Sequence, residues 1–248
     1  MNLPKFFNKS NTFDVSSLKY KKLIDQQLVD KLVGFLSKSK DRRVMVEIDG
    51  SINTLVAGML AKLALGENAI ALIFDFETPK TNQLVQICKY LNLESYILKR
   101  GSAYQNEVSS YHLHKLSDIK NFYKRFISYH LSIQAENMKA QLLDTACKSD
   151  RLLDIRPDGF YGHFMPFYSL YKSELFDLAR YLNMQDQFPQ NIALPFDKID
   201  PILFLLTEKQ VSPEEISHQF KIDLPWLKRL KSHVDKHLFQ TPVSQFII

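Results

Sequence analysis

The feature that most constrains the fold is the stretch 44–61, where a short apolar run passes directly into a helical pattern. Residues 44–48 are apolar and rich in β-branched side chains, which is typical of a buried strand. Residues 49–51 have turn chemistry, and residues 52–65 show a helical pattern that ends at Gly66, a natural C-cap. A strand, a tight loop and a helix in this order offer backbone N–H groups and a helix dipole to a phosphate. The stretch therefore predicts a nucleotide-type loop in an α/β protein.

Further strands and helices extend this pattern along the chain. Residues 69–76 and 96–98 predict a second and a third strand, with a helix over 82–91 between them. An amphipathic pattern predicts an N-terminal helix over 18–37, and residues from about 172 to 240 are mostly helical in pattern. We therefore predict a single α/β domain, residues 1–248, with a doubly wound parallel sheet flanked by helices and a mostly helical C-terminal part.

Two regions between these elements carry other expectations. Residues 101–118 are polar without periodicity and predict a loop that holds two surface histidines, His112 and His114. Residues 121–147 predict a long helix, broken near Ser132. Asp75, at the end of the second strand, fits a turn or cap role better than that of a ribose ligand. The sequence has no HExxH motif and no Cys/His cluster, so we predict neither a metal site nor catalytic residues.

Composition narrows the classes of partner. A net charge of +5 and an isoelectric point near 9.0 permit anionic ligands without establishing nucleic-acid binding, so we predict no nucleic-acid partner. No stretch approaches the roughly 20 apolar residues of a membrane span, and we predict neither a membrane partner nor a signal peptide. Cys88 and Cys147 form no CxxC motif, which favours buried, reduced thiols and a cytoplasmic location.

The loop at 49–54 resembles the Ser-Gly-Gly-x-Asp-Ser phosphate loop of the ATP-pyrophosphatase family, specifically of the ammonia-dependent NAD(+) synthetases. Asp49 stands for the first Ser, Gly50 for the first Gly and Ser51 for the second Gly. Asn53 stands for the Asp, and Thr54 stands conservatively for the final Ser. Gly50 alone is retained.

Other landmarks of the family follow in order along the chain. Asn137 and Ala140 match an Asn-x-x-Ala-Arg-x-Arg motif that the family carries in a helix. Lys172 matches the Lys of a Pro-x-x-x-Leu-x-Lys segment, which approaches the nucleotide phosphates in the family. Residues 195–200 resemble a Tyr-x-x-Ile-Asp landmark, residues 211–216 the helix start after it, and residues 237–242 a His-Lys-Arg-x-x-Pro segment.

The resemblance implies a nucleotide and substrate site, and it names its residues. They are Asp49, Gly50, Ser51, Asn53, Thr54, Asn137 and Lys172. It also implies ATP, magnesium and nicotinate adenine dinucleotide as ligands if the family activity survives, and a homodimer with helices packed across its two-fold axis. Aromatic and apolar residues between 122 and 131 are expected at that interface, or else in the core.

The departures from the family all weaken the binding of ATP phosphates or of magnesium. Asp49 caps the helix start itself and repels a phosphate; one like-charge pair at ~4 Å and an effective dielectric of ~20 costs roughly 4 kcal/mol. Asn53 is a poorer magnesium ligand than Asp. Gln141 and Leu143 replace two arginines, and the family's Gly-Thr-x-Asn-x-Ser-Glu segment, which holds magnesium, has only the short stretch 151–163 to correspond to it.

Three interpretations follow from these departures. The first is a catalytically degenerate NAD synthetase-like protein that keeps a binding or regulatory role. The second is a divergent but active ammonia-dependent NAD(+) synthetase, which amidates nicotinate adenine dinucleotide with ATP through an adenylylated intermediate. The third is an α/β interaction protein with a protein partner and no nucleotide.

Overall fold

The sheet is built from four parallel strands, as seen in a computed structural model that describes residues 18–153, 162–184 and 195–237. The strands are β1 (Arg43–Glu47), β2 (Ala69–Asp75), β3 (Glu94–Lys99) and β4 (Ala140–Leu142). Their order is β3-β2-β1-β4, so β1 lies in the interior. A parallel bridge between Leu143 and Phe164 extends the sheet beyond β4. The predicted parallel sheet and the interior position of the first strand are confirmed.

Helices cover both faces of this sheet and make up the C-terminal part. In chain order they are α1 (Gln26–Leu36), α2 (Ile52–Leu65), α3 (Lys80–Tyr90), α4 (Gly101–Ser110), α5 (Leu116–Asn137), α6 (Lys148–Leu152), α7 (Lys172–Tyr181), α8 (Phe196–Thr207), α9 (Pro213–Phe220) and α10 (Leu224–His237). Short 3₁₀ turns occupy Ser37–Ser39 and Gly66–Asn68. In the part of the chain that the structure describes, no helix is long and apolar enough to cross a bilayer.

The alternation of side chains along the strands explains the two layers. On one face Val44, Val46 and Ile48 pack in a core shared with α1, α2, α3 and α7. On the other face Met45, together with residues of β2, packs against α5. A third cluster joins α8, α9 and α10. The doubly wound arrangement and the helical C-terminal part thus follow the prediction.

The N-terminal helix was predicted too long. Helix α1 begins at Gln26 rather than at residue 18, because the Asp25 carboxylate caps it by accepting from the Leu28 N–H at 3.0 Å. The residues before it run along α7, where the Lys22 N–H donates to Glu174 at 2.6 Å. Tertiary contacts therefore override the helical pattern of residues 18–25.

The region 101–147 differs most from its prediction. Residues 101–110 form α4 instead of a loop, and His112 lies exposed in the turn that follows. Helix α5 passes Ser132 without a break and ends at Asn137, after which residues 140–142 form β4. Pairing of Ala140 with Arg43 on β1 supplies the hydrogen bonds of a strand, which a single-sequence helical pattern does not reveal.

Candidate functional site

The site is built at the carboxyl end of β1, where a loop leads into α2. Gly50 takes a φ of +83°, a left-handed conformation that favours glycine. The Asp49 carboxylate turns back into this loop: its Oδ1 accepts from the Ser51 N–H at 2.7 Å and from the Thr54 hydroxyl at 2.8 Å. In a phosphate loop the backbone N–H groups at this position donate to the ligand. Here the Ser51 N–H donates to Asp49 instead.

A second set of polar groups lies buried behind this loop. Asn53 on α2, Asp150 on α6 and Lys172 on α7 expose 4%, 4% and 9% of their surface. The Lys172 Nζ lies 2.7 Å from Asp150 Oδ1 and 3.0 Å from Oδ2, and it donates to Asn53 Oδ1 at 2.6 Å. The Asn53 amide donates to Asp150 Oδ2 and to the Thr145 carbonyl, each at 2.6 Å. We call Asn53, Asp150 and Lys172 the buried cluster.

The charges of the buried cluster stabilise one another. Burial alone would raise the pKa of Asp150, but the Lys172 ammonium and the hydrogen bonds to the carboxylate hold it below its ordinary value. Burial alone would lower the pKa of Lys172, but the neighbouring Cys147 and Asp150 side chains raise it. Burial raises the pKa of the Cys147 thiol, which donates to Asp150 at 3.0 Å. Lys172 and Asp150 are therefore both charged at neutral pH and neutralise each other.

Asp200 on α8 anchors the helices that carry the buried cluster. Its carboxylate accepts from the Ser149 hydroxyl and from the Ser173 N–H, each at 2.7 Å. It is fully buried, and burial raises its pKa to about 6. Ser149 in turn accepts from the Lys172 N–H at 2.8 Å. The first turns of α6 and α7 are thus held in place from a third helix.

The loop and the buried cluster face a common cavity of about 250 Å³. On the opposite side, residues of α5 form a wall that is aromatic and apolar in part. The lining residues are Glu47, Asp49, Ser51, Asn53, Thr54, Tyr123, Lys124, Ile127, Ser128, Leu131, Thr145, Ala146, Asp150 and Lys172. Among the sequence-predicted site residues, Asp49, Ser51, Asn53, Thr54 and Lys172 thus come together here, and Gly50 shapes the loop.

Asn137 does not join them. It lies exposed at the end of α5, next to the start of β4, whereas the cavity lies at the carboxyl ends of the strands. Gln141 lies on β4 and Leu143 directly after it, so residues 140–143 do not form the helix in which the family carries this motif. The helix that lines the cavity is α5, whose residues Asn121-x-x-Lys124-Arg125 offer a partial match to the family's Asn-x-x-Ala-Arg.

The strand β4 brings out a second resemblance to the family segment that holds magnesium. Once β4 is known to end at Leu142, the residues that follow it are Thr145-x-Cys147-x-Ser149-Asp150, which match Thr-x-Asn-x-Ser-Glu. Thr145 and Ser149 are identical, and Asp150 stands for the Glu. The segment was predicted to correspond to 151–163 because a helix was expected over the residues that form β4. The spacing from Thr145 to Asp150 was the sequence signal that could have found Asp150.

The described residues do not fit a magnesium ion. Asp150 Oδ2 already accepts from Asn53, from Cys147 and from Lys172, and its Oδ1 contacts the Lys172 ammonium. Asn53 turns its amide N–H₂, a donor, toward the carboxylate. No group of three His, Cys, Asp or Glu residues suited to a metal occurs in the described part of the chain.

The other residues singled out from the sequence lie away from the loop or have structural roles. Asp75 Oδ1 accepts from the Glu77 N–H and from the Thr81 hydroxyl, each at 2.8 Å, which confirms its turn role. Cys88 and Cys147 are free and buried, as expected. Ser212 caps α9 by accepting from Glu215, with Pro213 at the first position. The side chains of residues 237–242 and all of residues 154–161 lie outside the part of the chain that the structure describes.

A parallel sheet with a pocket at the carboxyl ends of its strands, beside a loop that leads into a helix, is the arrangement in which open α/β proteins bind their ligands. Comparison with known proteins makes this specific. Residues 24–243 match the NAD synthase family, and this chain belongs to that family.

Individual relatives give the same result. An NH(3)-dependent NAD(+) synthetase of Campylobacter jejuni subsp. doylei is 32% identical over 174 residues, covering 66% of this chain and 70% of the relative. The structure of the NH3-dependent NAD synthetase from Campylobacter jejuni subsp. jejuni superposes with a TM-score of 0.76 at 25% identity, covering 91% of this chain and 100% of that one. An NMN synthetase from Francisella tularensis shares the fold, with a TM-score of 0.65 at 22% identity over 88% of this chain and 98% of that one.

Proposed function

We propose that this chain is a degenerate NAD synthetase, which no longer uses ATP to amidate nicotinate adenine dinucleotide and keeps a binding or regulatory role. The observation that carries the proposal is the Asp49 carboxylate inside the loop, where it accepts from the Ser51 N–H. A phosphate approaching this loop meets a negative charge and a donor that is already used. At ~4 Å and an effective dielectric of ~20, that charge costs roughly 4 kcal/mol, on the order of a thousandfold in affinity.

The buried cluster supports the same conclusion from the other side of the cavity. Lys172 is the residue expected at the nucleotide phosphates, yet its ammonium is buried between Asp150 and Asn53. To reach a phosphate it would have to leave the Asp150 carboxylate buried without its counter-charge, which costs several kcal/mol. Asp150 is held by the same contacts and is not available to magnesium.

A divergent but active synthetase is the second candidate, and one observation favours it. Thr145, Ser149 and Asp150 keep the order and spacing of the family segment that holds magnesium, with Asp in place of Glu. If ATP and magnesium enter together, the metal could displace Lys172 from Asp150 and free both groups. Turnover separates the two candidates.

The test is an assay of the purified chain with ATP, magnesium, nicotinate adenine dinucleotide and an ammonium salt, following both NAD and pyrophosphate. The Campylobacter jejuni relative, assayed in parallel, shows that the conditions support the reaction. We expect no NAD above a no-enzyme blank. Sustained formation of NAD and pyrophosphate in equal amounts would overturn the degenerate reading and establish the divergent synthetase.

We also propose a cytoplasmic homodimer that uses the outer face of α5. Phe126, Ile127 and Leu131 were among the residues expected at an interface, but they are buried within the chain itself. Tyr129 is 56% exposed and supplies aromatic surface of the kind that interfaces use. Light scattering at micromolar concentration should give twice the 28.9 kDa chain mass, and Tyr129→Glu should shift it toward the monomer. A monomeric wild-type chain would contradict this.

A further inference from the structure

Helices α9 and α10 form a helix-turn-helix unit that takes no part in the cavity at the Asp49 loop. Helix α9 ends at Phe220, residues 221–223 form a turn, and α10 begins at Leu224. A turn of three or four residues between two packed helices defines the helix-turn-helix motif. Lys221 takes a φ of +54°, the left-handed conformation for which this motif often uses glycine. The local backbone is therefore that of the motif.

The apolar side of this unit packs on α8. Ile216 of α9, Ile222 of the turn, and Leu227 and Leu230 of α10 are buried, and they share one cluster with Ile202 of α8. Three helices around one apolar core are the scaffold on which the motif holds its second helix. Helix α10 is thus fixed along one side, and its opposite side faces solvent.

The solvent-facing side of α10 is basic. Lys228, Ser232 and Lys236 follow one another at intervals of four residues, so they lie along one stripe of the helix. Arg229 lies beside this stripe, and all four residues are exposed. Asp235 is the one carboxylate of α10. We call Lys228, Arg229, Ser232 and Lys236 the outer face of α10.

The cations of the outer face are available to a ligand. In the part of the chain that the structure describes, Arg229 and Lys236 form no ion pair with a carboxylate. Lys228 lies 2.8 Å from Glu214, but their side chains are 57% and 55% exposed. Exposed ion pairs contribute little stability, so a phosphate can replace the Glu214 carboxylate at small cost.

An open groove of about 530 Å³ runs beside this face, between α10 and the start of α9. Its lining residues are Pro213, Lys228, Lys231, Ser232, Asp235 and Lys236. The ammonium groups and the hydroxyl are donors of the kind that proteins aim at the phosphate oxygens of nucleic acids. The groove therefore gives the outer face a place for a phosphate backbone.

We infer that α10 binds double-stranded DNA, with its outer face in the major groove and with Lys228, Arg229 and Lys236 on the phosphates. The major groove of B-DNA is about 12 Å wide and admits an α-helix, whereas that of A-form RNA is too narrow. The expectation of no nucleic-acid partner rested on overall charge, which does not show how charges are placed. The inference is independent of the proposed function, because none of the residues of the outer face lines the cavity.

The test titrates the purified full chain into a fluorescein-labelled DNA duplex of mixed sequence, about three helical turns long, and follows fluorescence anisotropy. We expect micromolar binding at low salt that weakens as salt is added. The logarithm of the binding constant should fall with the logarithm of salt concentration by about 0.9 for each phosphate contacted. An RNA duplex of the same sequence and heparin are measured in parallel.

Three variants assign the binding to α10. Arg229→Gln combined with Lys236→Gln removes two charges, and we expect roughly tenfold weaker binding and a salt slope smaller by about two. Ser232→Glu places a carboxylate in the middle of the outer face and should abolish binding. Glu214→Gln removes a charge that opposes a phosphate and frees Lys228, so it should strengthen binding.

A matched control separates the outer face from overall charge. Lys89→Gln combined with Lys99→Gln removes the same number of charges from α3 and β3, where both lysines are exposed. This variant should bind the duplex as the wild type does. Melting temperatures equal to that of the wild type show that the variants fold.

Each outcome decides for or against the inference. Duplex binding that the Arg229 and Lys236 variant weakens, and that the control variant leaves unchanged, supports it. Absence of duplex binding at low salt, or an equal loss in the control variant, overturns it. Heparin or RNA that binds as tightly as the DNA duplex also overturns it, because the outer face would then attract any polyanion. MgATP binding and NAD formation test the proposed function separately.

Discussion

The Asp49 loop and the buried cluster line one cavity, yet they hold their charges in opposite ways. In the buried cluster, Lys172 and Asp150 are almost wholly desolvated and satisfy each other directly. In the loop, the Asp49 carboxylate is half-exposed and is held by a backbone N–H and a hydroxyl. The buried cluster should therefore control stability, whereas the loop should control which ligand enters. Variants in the loop and in the buried cluster separate these two roles.

The largest effect should follow from removing the ammonium of the buried cluster. Lys172→Met leaves the Asp150 carboxylate buried without its counter-charge. We expect the free energy of unfolding to fall by about 3–5 kcal/mol. Urea unfolding measures this. Lys228→Met is the control, because Lys228 pairs with Glu214 at the surface and such pairs contribute only about 0–1 kcal/mol.

A double variant sharpens this prediction. Replacing both charges, Lys172→Met with Asp150→Leu, should recover much of the loss, since an apolar pair of similar volume leaves no unpaired charge. If the single and the double variant were equally unstable, the loss of stability would come from altered packing and not from the unpaired Asp150 charge.

The second prediction concerns Asp200, which anchors the helices of the buried cluster. Burial raises its pKa to about 6 from an ordinary value of 3.8, so the folded state holds this proton more tightly than the unfolded state does. Its contribution to stability is complete below about pH 4 and is lost as the pH rises through 6. The shift corresponds to about 3 kcal/mol between these limits.

Asp200→Asn should remove that part of the pH dependence. Unfolding free energies at pH 5 and pH 8 should therefore fall less steeply with pH in the variant than in the wild type. Asp197→Asn, an exposed position on the same helix, should leave the wild-type slope unchanged. Parallel slopes for Asp200→Asn and wild type would show that Asp200 does not titrate as the structure indicates.

A smaller effect is expected from restoring the family's carboxylate in the buried cluster. Asn53→Asp removes the amide donors to Asp150 and to the Thr145 carbonyl and adds a second negative charge, so we expect a loss of about 1–3 kcal/mol without metal. Two carboxylates also make a better magnesium site than one. The melting temperature of the variant should thus rise with added Mg²⁺, whereas that of the wild type should not. If added Mg²⁺ left the melting temperature of Asn53→Asp unchanged, the prediction that two carboxylates here bind magnesium would be wrong.

The smallest effect on stability should come from the loop. Asp49→Asn keeps an acceptor for the Ser51 N–H and the Thr54 hydroxyl, the two hydrogen bonds through which Asp49 holds the loop. We expect a change within about 0.5 kcal/mol in urea unfolding. A loss as large as that of Lys172→Met would mean that the loop and the buried cluster form one cooperative unit, and the comparison would fail.

The sequence predicted the loop better than it predicted the buried cluster, and the reason is physical. The run 44–48 and the turn at 49–51 are local signals, so the position of Asp49 in the loop could be read directly. Its predicted capping of α2 was wrong, because Ser51 is the N-cap and Asp49 accepts instead from the Ser51 N–H and the Thr54 hydroxyl. Asp150 depends on β4, a strand of three residues that exists through its pairing with β1. A strand this short leaves almost no pattern in the sequence, and a helix was predicted in its place.

Lys172 shows a different limit. Its place in the cavity was predicted from the resemblance to the family, but its partners were not, since Asn53 and Asp150 lie 119 and 22 residues away along the chain. The wall formed by α5 was also beyond reach, because the family motif had been placed on residues 137–143. Contacts between distant segments set the charge of this cavity, and a pass along the chain does not reveal them.

Asp49 and the buried cluster should leave no place for ATP phosphates, and calorimetry with MgATP measures this binding without a coupled assay. The wild-type chain is titrated at low and at physiological salt, with the Campylobacter jejuni relative as the positive control. We expect no binding heat for this chain under conditions in which the relative binds. Binding in the micromolar range would contradict it, because the charge at Asp49 would then impose no measurable cost on a phosphate.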